Sequence, residues 1–122
     1  MRAIVVDDSR ATRAILARIL GELGFETIQA ANGSEALAML AEQAPVGLAL
    51  VDWNMPVMDG LDFVREVKGN PELSSIKIVM VTTEGDMDHM VRALEAGADE
   101  YAMKPFTAAV IREKLQLLGV TP

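Results

Sequence analysis

The stretch 46-VGLALVDWNMPVMDG-60 decides how this chain folds. Its first six residues, 46–51, are apolar or glycine, and Asp52 follows them at once. A short apolar run bounded by turn residues is typical of a strand that is buried on both faces of a parallel sheet. A carboxylate at the end of such a strand is costly unless it is paired. Asp52 is therefore the first candidate functional residue.

The same order of strand and helix patterns recurs along the whole chain. We predict strands over residues 3–6, 25–30, 46–51, 76–81 and 100–103, with a helical pattern after each one. Strands that alternate with helices predict an α/β fold, in which a doubly wound five-stranded parallel sheet carries five helices. Helix residues expected to face the core are Ile15, Ile19, Leu23, Ala36, Leu37, Leu40, Leu61, Val64, Val67, Val91, Leu94, Val110, Ile111, Leu115 and Leu118.

Composition excludes several classes of protein. The chain has 122 residues, which predicts one domain over 1–122. A net charge of −7 disfavours nucleic acid and anionic membranes as partners. The chain has no cysteine, which excludes disulfides, zinc–thiolate sites and cysteine nucleophiles. No apolar run is long enough for a signal peptide or a membrane span, so we expect a cytoplasmic protein.

Polar residues stand at the carboxyl ends of four predicted strands. They are Asp7 and Asp8, Asp52, Thr82, and Lys104. Carboxyl ends of parallel strands share one edge of a sheet, where such folds carry their chemistry. Three neighbouring carboxylates repel one another unless a cation joins them, and a site of oxygen ligands suits Mg²⁺. Thr82 and Lys104 are donors that could hold phosphoryl oxygens.

Simpler interpretations of these residues stay open. The acidic pair and Thr82-Thr83 could cap the helices that follow them. Lys104-Pro105 could be an ordinary loop. His89, the only histidine, is expected to be a solvated helix residue and neither a ligand nor a phosphate relay.

In order and spacing, these motifs resemble those of a response-regulator receiver domain, and the resemblance covers essentially the whole chain. The matching segments are DD at 7–8, VDWNMP at 51–56, MDG at 58–60, VTTE at 81–84, Tyr101, and KPF at 104–106. The resemblance implies the flavodoxin-like strand order 2-1-3-4-5. It also implies that Asp52 is the phosphoacceptor, which takes a phosphoryl group from a sensor histidine kinase with the help of Thr82 and Lys104.

The resemblance further implies a Mg²⁺ site. Asp8 and Asp52 would bind the ion through carboxylates, Asn54 through its backbone carbonyl, and Asp7 through a water molecule. Asn54 and Glu84 would flank the path of the water that removes the phosphoryl group.

A switch and a partner surface are also implied. Thr82 would move toward the phosphoryl group, and Tyr101 would then turn inward. This change would alter the face made by the fourth helix, fifth strand and fifth helix. The residues expected on this face are Met87, Met90, Tyr101 and Lys114, and Met90 is expected at its rim. The target would be a downstream protein, with chemotaxis the best match and a flagellar switch one candidate.

Alternative functions are weaker. A haloacid-dehalogenase-like phosphatase needs a second acid two residues after its nucleophile, where this chain has Asn54. A pseudo-receiver would lack an Asp, Thr or Lys of the site, and all three types are present. A flavodoxin-like cofactor binder needs a phosphate loop that the sequence does not contain. A receiver module of a larger protein or a different phosphorelay is the main alternative.

Overall fold

The computed structural model describes residues 1–43 and 45–122 and is built on a parallel sheet. The strands are β1 (Arg2–Val6), β2 (Glu26–Ala30), β3 (Leu48–Val51), β4 (Lys77–Thr82) and β5 (Glu100–Met103). Their order is β2-β1-β3-β4-β5, and every neighbouring pair is parallel. This confirms the predicted fold and strand order. Thr82 is the last residue of β4 rather than the residue after it.

Five helices connect and cover the strands. They are α1 (Arg10–Glu22), α2 (Gly33–Glu42), α3 (Gly60–Gly69), α4 (Met87–Ala96) and α5 (Ala108–Leu118). A side-chain oxygen caps each helix by accepting from a backbone N–H of its first turn. The caps are Ser9, Asn32, Asp59, Asp86 and Thr107. The capping interpretation therefore fails for Asp7-Asp8 and Thr82-Thr83, since Ser9 and Asp86 do that work.

Both faces of the sheet are buried, as the apolar strands predict. Side chains alternate between faces along each strand. Ile4, Val51 and Met80 belong to a core under α2, α3 and α4, whereas Val5, Leu50 and Val81 belong to a second core under α1 and α5. The polar edge of the sheet is thus positioned by strands that are packed from both sides.

Three residues that were predicted to lie in the core are exposed. Ile15 is 53% exposed, and α1 packs through Leu16 and Leu20 instead. On α4, Val91 is 41% and Leu94 is 49% exposed.

The inward face of α4 explains this difference. Ala93 is its buried residue, and Met90, expected at the rim, packs against the core one turn earlier. Apolar residues surround most of this helix, so spacing alone does not identify the inward face. By contrast, α3 buries half of its residues: Gly60, Leu61, Phe63, Val64 and Val67. No helix in the described residues is long and apolar enough to cross a membrane.

Candidate functional site

Three carboxylates meet at the carboxyl ends of β1 and β3. Val6 pairs with Val51 in the parallel register, so the residues that follow the two strands are neighbours. Oxygen atoms of Asp7, Asp8 and Asp52 all lie within 4.8 Å of one another. Asp7 and Asp52 are buried, and Asp8 is exposed. A partly open group of hard oxygen donors fits a Mg²⁺ ion, which the sequence predicted here.

Lys104 supplies the opposite charge from the loop after β5. Its Nζ lies 2.8 Å from Asp7 Oδ2 and 3.5 Å from Asp52 Oδ2. Its backbone N–H donates to the Thr82 carbonyl at 2.9 Å, and the Lys104–Pro105 peptide is cis. The lysine is therefore held between two carboxylates. The sequence predicted its place at the site but not its pair with Asp7.

The two oxygens of Asp52 have different surroundings. Oδ1 accepts a hydrogen bond from the Trp53 N–H at 2.8 Å, and Oδ2 faces Lys104. Burial raises the pKa of Asp52, and the charge of Asp7 raises it further, while Lys104 and the Trp53 N–H oppose both effects. Ionisation of Asp52 is thus less favourable than that of a solvent-exposed aspartate, and a bound cation would favour it.

Gly60 explains part of the short spacing between Asp52 and the third helix. Its N–H donates to the Trp53 carbonyl at 2.8 Å. A Cβ atom at this position would overlap the backbone carbonyl of Asp52. Only glycine allows α3 to begin this close to the candidate phosphoacceptor.

Thr82 and Tyr101 are joined through Glu84. The buried Thr82 Oγ1 accepts from the Glu84 N–H at 3.3 Å, and the Tyr101 hydroxyl donates to the Glu84 carbonyl. Tyr101 is 5% exposed, so its ring has the inward orientation that the sequence analysis assigns to the switched surface. Burial raises the pKa of Tyr101 to about 12, and the charges of Glu84, Asp86 and Asp52 contribute to that rise.

A second polar cluster lies beside the acidic one. Asn54 Nδ2 donates to Glu84 Oε1 at 2.7 Å, and Glu84 Oε2 lies 3.5 Å from His89 Nε2. His89 Nδ1 lies 2.7 Å from Asp86 Oδ1. The His89 ring also meets the Trp53 ring edge to face, with centroids 4.8 Å apart.

The prediction that His89 is merely solvated is therefore wrong. Its side chain is 28% exposed and lies against the residue next to Asp52. The guanidinium of Arg92, one helical turn later, lies 5.5 Å from the Trp53 ring centroid. The sequence contains one signal for the contact between His89 and Asp86. A histidine three residues after a capping aspartate lies in the first turn of the same helix, close to that cap.

The predicted partner residues do not share one exposed surface. Met87 is 73% exposed, whereas Tyr101 is buried and Met90 packs inward. Lys114 is half-buried, and its Nζ lies 3.4 Å from Glu100 Oε1. The exposed apolar residues of this face that the sequence analysis missed are Val91, Leu94 and Met103.

Comparison with known proteins agrees with this geometry. A family model described as response regulator receiver domain matches residues 3–116. The chain belongs to the response-regulator receiver family. As a receiver domain it is similar to chemotaxis protein CheY1 of Helicobacter pylori, with 41% identity over 119 residues that cover 97% of this chain and 96% of the relative. CheY of Pseudomonas aeruginosa is 38% identical over 117 residues, which cover 95% and 94% of the two chains.

Solved receiver structures give the same result. The structure of Vibrio cholerae chemotaxis protein CheY4 matches with a TM-score of 0.88 at 33% identity, over 95% of this chain and 96% of that one. The receiver domain of a signal transduction histidine kinase from Syntrophus aciditrophicus matches with a TM-score of 0.86 at 35% identity, over 96% and 88%. Receiver domains of similar structure thus occur both in chemotaxis regulators and in kinases.

Proposed function

We propose that this receiver domain accepts a phosphoryl group on Asp52 from a phosphohistidine of a sensor histidine kinase. The observation that carries the proposal is the position of Asp52 Oδ2. The Trp53 N–H holds the other oxygen of this carboxylate, while Oδ2 faces the Lys104 ammonium beside two further acids. This is the arrangement of a carboxylate nucleophile next to groups that bind a phosphoryl group.

The transfer itself is a single displacement. Asp52 Oδ2 attacks phosphorus, the phosphorus–nitrogen bond breaks, and the kinase imidazole keeps the electron pair. Lys104 balances the charge of the phosphoryl oxygens, and the Thr82 hydroxyl donates to one of them. Bound Mg²⁺ would supply further positive charge at those oxygens. The residues that would hold the ion are Asp8 and Asp52, the Asn54 carbonyl, and Asp7 through water.

The response follows from the contacts of Thr82. A phosphoryl group adds roughly −1.5 to −2 charge and strong acceptors. Without a phosphoryl group, the Glu84 N–H donates to the Thr82 hydroxyl. When this hydroxyl donates to the phosphoryl group instead, it moves away from the Glu84 N–H. Because the Glu84 carbonyl also accepts from Tyr101, the movement reaches the face made by α4, β5 and α5. On that face Met87, Val91 and Leu94 of α4 are exposed and form the core of the proposed partner surface, to which α5 contributes Lys114.

We assign this signalling to chemotaxis in the cytoplasm. The support is that relatives matching over nearly their whole length are chemotaxis proteins. The partners are then a chemotaxis sensor kinase and a downstream target, with a flagellar switch protein as the candidate. In this proposal residues 1–122 act as one phosphoacceptor domain, which catalyses only its own phosphorylation and dephosphorylation.

A receiver module of a kinase is the second candidate. The similarity to the Syntrophus receiver domain favours it, since that domain belongs to a histidine kinase. In that case Asp52 would pass its phosphoryl group to a further histidine instead of controlling a target by surface contact. Incubation of the phosphorylated chain with a histidine phosphotransfer domain would distinguish the two candidates.

The phosphoacceptor proposal is tested by mass measurement. The chain is incubated with Mg²⁺ and acetyl phosphate, and its intact mass is followed. We expect the gain of one phosphoryl group, which Asp52→Asn abolishes. Asp59→Asn is the matched control, because an asparagine oxygen can still cap α3 as Asp59 does now. Equal labelling of Asp52→Asn and native protein would contradict the proposal.

A further inference from the structure

His89 has a carboxylate at each ring nitrogen. Nδ1 lies 2.7 and 2.9 Å from the two oxygens of Asp86, and Nε2 lies 3.5 Å from Glu84 Oε2. Asp86 is itself fixed, because its side chain accepts the His89 backbone N–H at 2.8 Å as the cap of α4. The ring is therefore hydrogen-bonded to the cap of α4 on one side and faces the Glu84 carboxylate at 3.5 Å on the other.

Each oxygen of the Glu84 carboxylate has a polar neighbour. Oε2 faces His89, and Oε1 accepts from Asn54 Nδ2 at 2.7 Å. Glu84 and Asn54 lie two residues after Thr82 and Asp52 respectively, so their contact joins the loops that follow β4 and β3. An asparagine amide has two N–H groups and a carbonyl oxygen. The contact with Glu84 uses one N–H and leaves the other two groups for a water molecule.

We propose that His89 is a positioning residue that fixes the Glu84 carboxylate against Asn54 and thereby speeds loss of the phosphoryl group from Asp52. This inference rests on the proposed function of Asp52. In the hydrolysis, water oxygen attacks phosphorus, the bond from phosphorus to the Asp52 oxygen breaks, and the carboxylate re-forms. Both water hydrogens leave on the released phosphate. Glu84 and Asn54 orient that water, and His89 acts only through Glu84.

The N–H donors of the His89 ring should control this positioning. A neutral imidazole has one N–H and can donate to one of the two carboxylates, whereas an imidazolium donates to both. The charged groups that face the ring are Glu84 and Asp86, with Arg92 one turn along α4 and the uncharged Trp53 ring against it. We therefore expect hydrolysis to slow when the N–H donors of this ring are removed.

Three variants isolate the role of the ring. His89→Phe keeps an aromatic ring against Trp53 but removes both donors. His89→Gln restores one donor without the charge. Glu95→Gln is the matched control, since it changes one exposed charge on the same helix. Each chain is loaded with acetyl phosphate and Mg²⁺, the donor is removed, and the phosphorylated mass is followed over time.

We expect His89→Phe to lose its phosphoryl group about three- to tenfold more slowly than the native chain, the size of one hydrogen bond's net contribution. His89→Gln should recover part of this loss of rate, because its amide restores one donor. The Glu95→Gln control should behave as the native chain does. If His89→Phe does not fold, the same slowing is expected in His89→Leu, which also lacks both donors.

The possible failures are distinguishable. A native chain that takes no phosphoryl group overturns the proposed function and this inference together. Normal labelling, with His89→Phe decaying at the native rate or faster, overturns this inference alone. Equal slowing in His89→Phe and Glu95→Gln also overturns it, because the effect would then come from the overall charge of α4.

Discussion

The phenol hydroxyl of Tyr101 donates a hydrogen bond to the backbone carbonyl of Glu84. The N–H of the same Glu84 donates to Thr82 Oγ1. One residue of the β4–α4 loop is therefore held by both members of the proposed switch. A movement of the Thr82 hydroxyl changes the support of the carbonyl that keeps the Tyr101 ring inward.

Tyr101 should lose its phenol proton only at unusually high pH. Its pKa is raised to about 12, against about 10 for an exposed tyrosine. It is the only tyrosine, so absorbance near the phenolate band reports it alone. We expect the phenolate to appear near pH 12 in the folded chain and near pH 10 after unfolding. A folded-state titration near pH 10 would place the ring in solvent and contradict the inward orientation.

The same shift predicts how stability depends on pH. Between pH 10 and 12 the folded chain keeps the phenol proton and the unfolded chain loses it, so the free energy of unfolding falls as the pH rises. The contribution of Tyr101 to this fall is on the order of 2 kcal/mol. Tyr101→Phe has no such proton. The free energy of unfolding is measured by denaturant titration at both pH values for the native chain and for this variant. The difference between their changes with pH is the contribution of Tyr101.

Asp52→Asn should stabilise the metal-free chain at neutral pH. Because burial and Asp7 raise the pKa of Asp52, its ionisation costs stability, and this cost grows as the pH rises from the ordinary pKa of the group to the raised one. An asparagine oxygen can still accept the Trp53 N–H. We expect a higher Tm at pH 7, with a gain that shrinks as the pH falls toward about 4, the ordinary range of the group. A gain of equal size at both pH values would exclude ionisation as its cause.

Mg²⁺ should stabilise the chain and change the emission of Trp53. This tryptophan is the only one, and its N–H donates to Asp52 Oδ1. A ligand that binds only the folded state at ten times its Kd adds about 1.4 kcal/mol to the free energy of unfolding. Asp8→Ala should lose this response and melt slightly higher than the native chain without Mg²⁺, since it relieves repulsion among the acids. Sodium chloride of equal ionic strength is the control, and an equal response to it would argue against the site.

Bulky apolar residues at positions 54 and 84 should prolong the phosphorylated state. Asn54→Met with Glu84→Leu removes the polar pair that is joined at 2.7 Å, while the Mg²⁺ ligand at position 54 is a backbone carbonyl. We expect slower recovery of the Trp53 signal after the phosphodonor is removed. The Mg²⁺ titration of the same variant checks that ion binding survives. Native recovery in the double variant would remove both side chains from the hydrolysis.

The sequence alone predicts the fold and the acidic site well, for a physical reason. Apolar runs at strand spacing leave few places for charged residues, so Asp7, Asp52 and Lys104 stand out at strand ends. Their meeting at one edge then follows from parallel strands. The helix caps could be identified only from the structure, because the residues next to Ser9 and Asp86 are equally able to cap a helix.

Residues around α4 were predicted less well. Met87, Met90, Val91 and Leu94 give this helix apolar side chains in several directions, and the small Ala93 decides which side faces the sheet. The place of His89 depends on how α4 packs over Trp53, a contact between residues far apart in sequence. Local pattern contains no information on such a contact.

The shallow anchoring of α4 has a consequence for how receivers diversify. Ala93 is the one residue that this helix buries, whereas α3 buries five and begins against the Asp52 carbonyl. Substitutions at Met87, Val91 or Leu94 therefore alter an outward surface without creating cavities in the core. Selection can change the partner that reads this helix while the phosphoryl chemistry at the sheet edge stays the same. Recognition and chemistry are separable traits in this chain, and each can evolve at its own pace.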